Sequence, residues 1–456
     1  MTVACGIDFG TTNSSIAVNV DGDVRVVPVD GGLPLLKSQL FLHRDGDRSC
    51  GSRSSRRYLN ESQYRTRCVS CDRTPDRFIA PAGSALTWLP EGCRQYRPGG
   101  GCSDARLLRG LKAELPDLNF TRTTSWAIEY SVESLVAIVL RELKRQSEQL
   151  IGASIADVVL GRPVLLAESD EEDQLVEDRL LRAAQQAGFS ELAVCPEPVA
   201  AALEPVFGPA RGCILSLDFG AGTFDAAVLR VHDDEGGLTP ELEGAGGANV
   251  GGDVIDGIIF DRYFANYLGL TAGEDELGFR LPNRVRWRMK TRAGLVRLAT
   301  TEPALYELID RGTRSRRAGQ QMARLRDLLF GGYGFGFYEA IETAKCDLSE
   351  KDASAVRFHG GTVDVDQPMR RSDLKVILAP ILTAVSTAID DALAQAERGP
   401  NEIDTVLLTG GSSQLSAFQD LIQERFQGAS IVAGDTYTSV ARGLATIAPQ
   451  FFGGPA

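Results

Sequence analysis

The feature that most limits how this chain can fold occurs twice. The stretch "CGIDFGTTNSS" (residues 5–15) is an apolar run ending in an aspartate, a glycine and two threonines, with a second apolar run, "SIAVNV", directly behind it. About 210 residues later "CILSLDFGAGTFDAAVLRV" (residues 213–231) has the same form. A single copy is compatible with an ordinary hairpin. Two copies point to a duplicated strand–turn–strand unit, and so to two related α/β halves, each a mixed sheet with flanking helices. Such turns present consecutive backbone N–H groups, which bind anions, while glycine allows close approach and threonine adds hydroxyl donors. An aspartate on each side supplies hard oxygen ligands suited to hydrated Mg²⁺. Facing each other, the two turns would clamp a di- or triphosphate.

Length and charge fit this division. A chain of 456 residues is too long for one ordinary core. The net charge of −13 disfavours general nucleic-acid binding. Charges interrupt every long apolar run, so no membrane-spanning helix is expected. No basic leader precedes the first strand, which makes the cytoplasm the default location.

Between the repeats, Val132, Leu135, Val136, Val139 and Leu143 mark an amphipathic helix from Ser131 to about Gly152. Ser169 and Glu172 form a capping box for a second helix, ended by Gly188. A long apolar-striped helix containing Pro380 is expected over 372–396, followed by the strand and Gly-Gly-Ser turn of "IDTVLLTGGSSQLSAFQDLI". These elements give an expected lobe I over 1–208, with a core at 1–43 and 125–208 and a Cys/Arg-rich peripheral part at about 44–124. Lobe II is expected over 209–456, with a core at 209–250 and 350–456 and a basic peripheral part at about 251–349.

Six stretches, in order, resemble the ATPase domain of the 70-kilodalton heat-shock (DnaK-type) chaperones, within the actin-like superfamily: "GIDFGTTNSS", "EPVAAAL", "LDFGAGTFDAAVL", "GGDVID", "AIETAKCDLS" and "LLTGGSSQLSAF". "LGRPV" and "GDTYTSVARGLA" look most like short YegD-like members that end after this domain, and no peptide-binding domain is expected after Ala448. The resemblance implies an actin-like ATPase fold, with two ribonuclease-H-like lobes around a nucleotide cleft. It also implies ATP or ADP with Mg²⁺ as ligands, slow ATP hydrolysis, and co-chaperone or client proteins as partners.

Carried over residue by residue, it implies that Asp8 and Asp218 orient water around Mg²⁺ and that Asp218 accepts a proton from the attacking water. Gly10, Thr11 and Thr12 would hold phosphates from one lobe, and Gly220, Ala221, Gly222 and Thr223 from the other. Glu197 would join the metal–water network, and Gly251, Gly252 and Asp253 would close over the nucleotide. Glu342, Lys345 and Ser349 would meet ribose and adenine, and Gly410, Gly411 and Ser412 would approach the base.

The chain also departs from the family pattern. Arg106 stands where the family has a phosphate-directed lysine, with Lys112 as the alternative; arginine outnumbers lysine 41 to 7. Cys346 and Gln414 replace two arginines that sandwich adenine, forfeiting two cation–π stacks of about 0.5–2 kcal/mol each. These changes motivate a second reading, a nucleotide-regulated scaffold without turnover; a small-molecule kinase is a third. Separately, Cys68, Cys71, Cys93 and Cys102 include a Cys-x-x-Cys pair, a candidate zinc half-site. Free thiols or a redox pair explain them equally. The basic stretch 280–330 reads as a solvated or protein-binding face, with no nucleic-acid or membrane partner.

Overall fold

In the computed structural model the two Asp-x-Gly hairpins occupy equivalent places in two sheets of the same design. The structure describes residues 3–43, 45–63, 105–116, 122–125, 128–163, 170–203, 212–234, 237–292, 294–295, 298, 303–433 and 437–452. In the first sheet, Val3–Phe9 runs antiparallel to Asn13–Val20 and parallel to Asp157–Arg162, which is parallel to Glu191–Pro196. Asp23–Val26 forms the other edge. In the second, Gly212–Phe219 runs antiparallel to Phe224–Asp234 and parallel to Thr405–Thr409, which is parallel to Ser430–Ala433. Gly237–Ala248 takes the matching edge. Order and strand sense agree throughout, so Asp8 and Asp218 leave their sheets at equivalent ends.

Helices cover the sheets as their apolar spacing demands. Val132–Ile151 buries Leu135, Val136, Val139 and Leu143 against the first sheet. Ser131 caps it by accepting from the Ser134 N–H at 3.1 Å, and Gly152 ends it in a left-handed conformation. Arg371–Gln395, with Pro380 inside it, lays Ile377, Ile381, Val385 and Ile389 on the second sheet. It is long and apolar enough by composition to cross a membrane, yet here it is the core helix of a folded lobe.

The two lobes are joined by an exchange of helices. Glu197–Ala202 follows the last strand of the first sheet but sets Val199 and Ala202 against Ile214, Leu229 and Leu407 of the second. Ser439–Phe452 follows the last strand of the second sheet and returns to the first, with Ala441 and Ala445 on Ala17 and Val440 and Leu444 beside Ala4 and Val159. Asn19 donates to the Ala445 carbonyl at 3.0 Å. The expected lobe II, 209–456, therefore gives up its last helix to lobe I. Its small-residue stripe fits the first sheet, where Gly6 leaves no side chain in the way. The helices cross where Gly443 meets Ala200. A further departure is the hairpin Ala353–Gly360/Val363–Arg370, whose alternation the sequence reading passed over.

A Cβ built on Gly443 would stand 1.7 Å from the Ala200 carbonyl oxygen, whereas one on Gly428 meets nothing within 4 Å. Gly443→Val should thus lose about 1–3 kcal/mol through overpacking, and Gly428→Ala less than about 0.5 kcal/mol. Urea unfolding monitored by circular dichroism checks both; equal effects would remove the crossing point from the account.

Candidate functional site

A cavity of about 380 Å³ opens between the lobes where the two hairpins face each other. Gly10, Thr11 and Thr12 line one side, and Gly220, Ala221, Gly222 and Thr223 the other. Asp8, Asp218, Asp225 and Glu197 line it too, with Lys112 among them. Gly410 and Gly411 complete the second-lobe wall. Gly410 has φ of 77°, and a Cβ there would come within 2.4 Å of Asp218 Oδ1. That position combines a left-handed backbone with a close approach, and both demand glycine.

The electrostatics follow from four carboxylates sharing one half-buried space. Burial, then the charge of Glu197, pushes Asp8 up to about 8, although Lys112 acts the other way. Asp218 is raised to about 6 by the same two causes, opposed by Lys112 and by a hydrogen bond from Thr409. Asp225, cross-strand partner of Asp218, is raised to about 7 by burial and by Asp218, while the Thr223 hydroxyl, donating at 3.1 Å, counteracts this. Burial alone would depress the Lys112 ammonium, but Glu197 and Asp8 outweigh it and hold it above its usual value. Lys112 Nζ donates to Glu197 Oε1 at 2.7 Å. Glu197 is itself the first residue of the crossing helix.

Among the described residues the cation lining the cavity is Lys112, the alternative to Arg106. Arg106 lies on the strand Ala105–Arg109, opposite Leu42, and is buried within the small peripheral sheet. Gly110, with φ of 69°, then turns the chain into the helical turn Leu111–Glu114 that carries Lys112. Arg179 fixes this turn by donating to the Glu114 and Leu115 carbonyls at 3.2 and 2.8 Å. The signal was present in "RGLKAEL": a glycine turn leading into a helical turn that bears a lysine.

The other expected residues form a second layer. The N–H groups of Gly252 and Asp253 donate to the Gly220 and Ala221 carbonyls at 3.1 and 2.8 Å, with Gly251 packed on Ala221. They brace the second hairpin from behind. Ser412 donates to the Gly220 carbonyl at 3.3 Å. On the helix Gly334–Glu350, Lys345 pairs with Asp256 at 2.8 Å and donates to the Gly252 carbonyl at 2.9 Å. Glu342 pairs with Arg292 at 2.6 Å. Ser349 is half-buried on the same helix, and Cys346 is exposed. Asp225, Asp256, Arg292 and Thr409 were missed. Of these, Asp225 alone had a local signal, its place in "GTFD" opposite Asp218.

Among the described residues no three carboxylate, histidine or thiolate groups gather closely enough to hold a bare ion. Hard, partly hydrated carboxylates around a roomy cavity fit an ion held through its waters. Cys68, Cys71, Cys93 and Cys102, the candidate zinc ligands, lie outside the described residues.

Comparison with known proteins agrees with this geometry. A family described as Hsp70 protein matches residues 114–293 and 337–453. The chain is 25% identical to heat shock 70 kDa protein 6, chloroplastic, of Arabidopsis thaliana over 92% of its own length and 48% of that protein's. It is 26% identical to the chaperone protein DnaK of Trichormus variabilis, over 92% of this chain and 50% of the relative. For the chaperone protein dnaK of Cyanidioschyzon merolae the figures are 24%, 93% and 58%. The chain thus spans about half the length of the curated relatives it matches. One relative is chloroplastic, so the likeness does not by itself select the cytoplasm.

The raised carboxylates generate a prediction about pH. A group whose folded value lies above its unfolded value binds more protons when folded, so stability falls as pH rises between the two. For Asp8 and Asp218 the window runs from their ordinary 3.8 to about 8 and about 6. With EDTA present, unfolding free energy should drop between pH 5 and pH 8 (chosen to bracket these values), and Asp8→Asn should reduce that drop by on the order of 1–3 kcal/mol. Urea titrations across this range decide it; an unchanged slope in Asp8→Asn would contradict the assignment.

Proposed function

This chain belongs to the Hsp70 protein family, and from that premise we propose that it binds Mg-complexed ATP between its lobes and hydrolyses it slowly, as a chaperone-like ATPase. The observation that carries the reading is the meeting of Lys112, Asp8, Asp218 and Glu197 in one cavity flanked by both glycine–threonine hairpins. Gly10, Thr11 and Thr12 offer donors to the phosphates from lobe I, and Gly220, Gly222 and Thr223 from lobe II. Asp8 and Asp218 would hold a hydrated Mg²⁺, which neutralises phosphate charge when bound.

The remaining chemistry belongs to the chain's own side chains. Asp218, raised to about 6, is a base matched to near-neutral pH. It takes the proton of a water whose oxygen bonds to the γ-phosphorus, as the bond from that phosphorus to the β–γ bridging oxygen breaks. Lys112 places a fixed positive charge beside the phosphoryl oxygens, and Glu197, bonded to it, holds the ammonium in place. Electrostatic positioning of this kind supplies most of the rate in phosphoryl transfer. Lys112 in the cavity favours turnover over the scaffold reading, which had rested in part on Arg106. ADP is the product, and co-chaperone and client proteins are the partners that go with a chaperone-like role. The nearer likeness to short YegD-like members belongs to this proposal as well.

Single-turnover hydrolysis of bound ATP tests the reading. Asp218→Asn and Lys112→Ala should each slow it by at least about a hundredfold, as removal of one transition-state group does elsewhere, while still binding nucleotide. Wild-type protein that binds ATP without turnover, or Lys112→Ala cleaving at the wild-type rate, would overturn it.

A further inference from the structure

Behind the second hairpin, Lys345 and Glu342, the residues that the family resemblance assigns to ribose and adenine, stand in two cation–anion pairs that link to a part of the chain outside the family match. Lys345 is engaged by Asp256 at 2.8 Å and by the Gly252 carbonyl at 2.9 Å. Glu342 is engaged by Arg292 Nη2 at 2.6 Å. The same Nη2 lies 3.7 Å from Asp256 and donates to the Tyr338 carbonyl at 3.3 Å. One guanidinium therefore joins both pairs. Asp256 is 1% exposed and Lys345 8%, so this pair is almost wholly shut away from solvent.

Arg292 is held from both sides. The Tyr338 hydroxyl donates to the Met289 carbonyl three residues before it. Three residues after it, Leu295 packs so tightly on Gly334 that a Cβ there would come within 2.2 Å of Leu295 Cδ2. Residues 294–336 fall outside the stretches matched by the family, so Arg292 stands where matched chain gives way to unmatched chain. Its Nε is buried without a hydrogen-bond partner among the described residues. Burial alone would raise the Glu342 carboxyl, but Arg292, then Lys345, outweigh it and hold it at about 2.

Resting on the nucleotide reading above, we propose that Arg292 is a positioning residue for the nucleoside half of the ligand. By occupying Glu342 Oε2 it fixes that carboxylate with Oε1 presented as an acceptor, and by sharing Asp256 it keeps Lys345 turned toward the Gly252 carbonyl. The arginine-rich peripheral region thereby sets how much the nucleoside adds to binding by the phosphates. This matters in a chain with Cys346 and Gln414 where stacking arginines are expected, because fixed polar groups must then supply what stacking does not.

The test compares Mg-ATP with Mg-tripolyphosphate, which carries the phosphates alone, by calorimetry on the full chain. Arg292→Gln should weaken Mg-ATP by about tenfold, the value of a charged hydrogen bond, and Mg-tripolyphosphate by less than about twofold. Arg292→Lys should recover part of the loss. Glu342→Gln should reproduce it, and the double variant should be no weaker than the weaker single one, since both act through one contact. If Arg292→Gln does not stay folded, Glu342→Gln and Arg292→Lys carry the comparison. Equal losses for both ligands, unchanged ATP affinity or additive losses would each overturn the proposal. Wild-type protein that binds neither ligand would overturn it by removing the nucleotide reading beneath it, a distinct failure.

Discussion

Four carboxylates facing one cavity is an arrangement a fold does not reach by accident, because each raises the cost of ionising the next. Burial first, and the neighbouring carboxylate charges second, hold Asp8, Asp218 and Asp225 above their ordinary values, and Lys112 lowers all three. The duplication explains how the cluster arises. Two sheets of one topology bring the same strand end, each with its hairpin, to opposite sides of one cavity. Any polyanion that enters must bring cations with it, which is the electrostatic case for a Mg-complexed phosphate rather than a bare one.

The exchanged helices tie the site to both lobes. Glu197 is at once the acceptor for Lys112 and the first residue of a helix that packs on the opposite lobe. The second hairpin is braced by Gly252 and Asp253, and Gly252 is tied through Lys345 and Asp256 to Arg292. Peripheral parts of the chain thus reach the second hairpin and the cavity through short physical routes.

What the sequence revealed, and what it hid, divides by range. The hairpins, the Ser131-capped helix and the helix carrying Pro380 were legible because capping, periodicity and turn chemistry are local signals. Asp8, Asp218, Glu197, Gly10, Gly220 and Gly222, which the family motifs single out, line one cavity. Between Arg106 and its alternative Lys112 the sequence alone does not choose, because composition makes arginine plausible and the turn at Gly110 decides which side chain lines the cavity. Asp256 and Arg292 were invisible because an ion pair 36 residues apart in sequence leaves no pattern until the helices pack. The return of Ser439–Phe452 to lobe I was hidden likewise: an alanine stripe says that a helix packs closely, not on which sheet.

In the proposed function the two hairpins act together on one triphosphate. Calorimetric titration of the purified chain with ATP, with and without Mg²⁺, tests it most directly. The expected result is saturable, Mg²⁺-dependent binding at one site per chain. No heat of binding at millimolar Mg-ATP would mean that the cleft persists as architecture alone, and would contradict the account at its base.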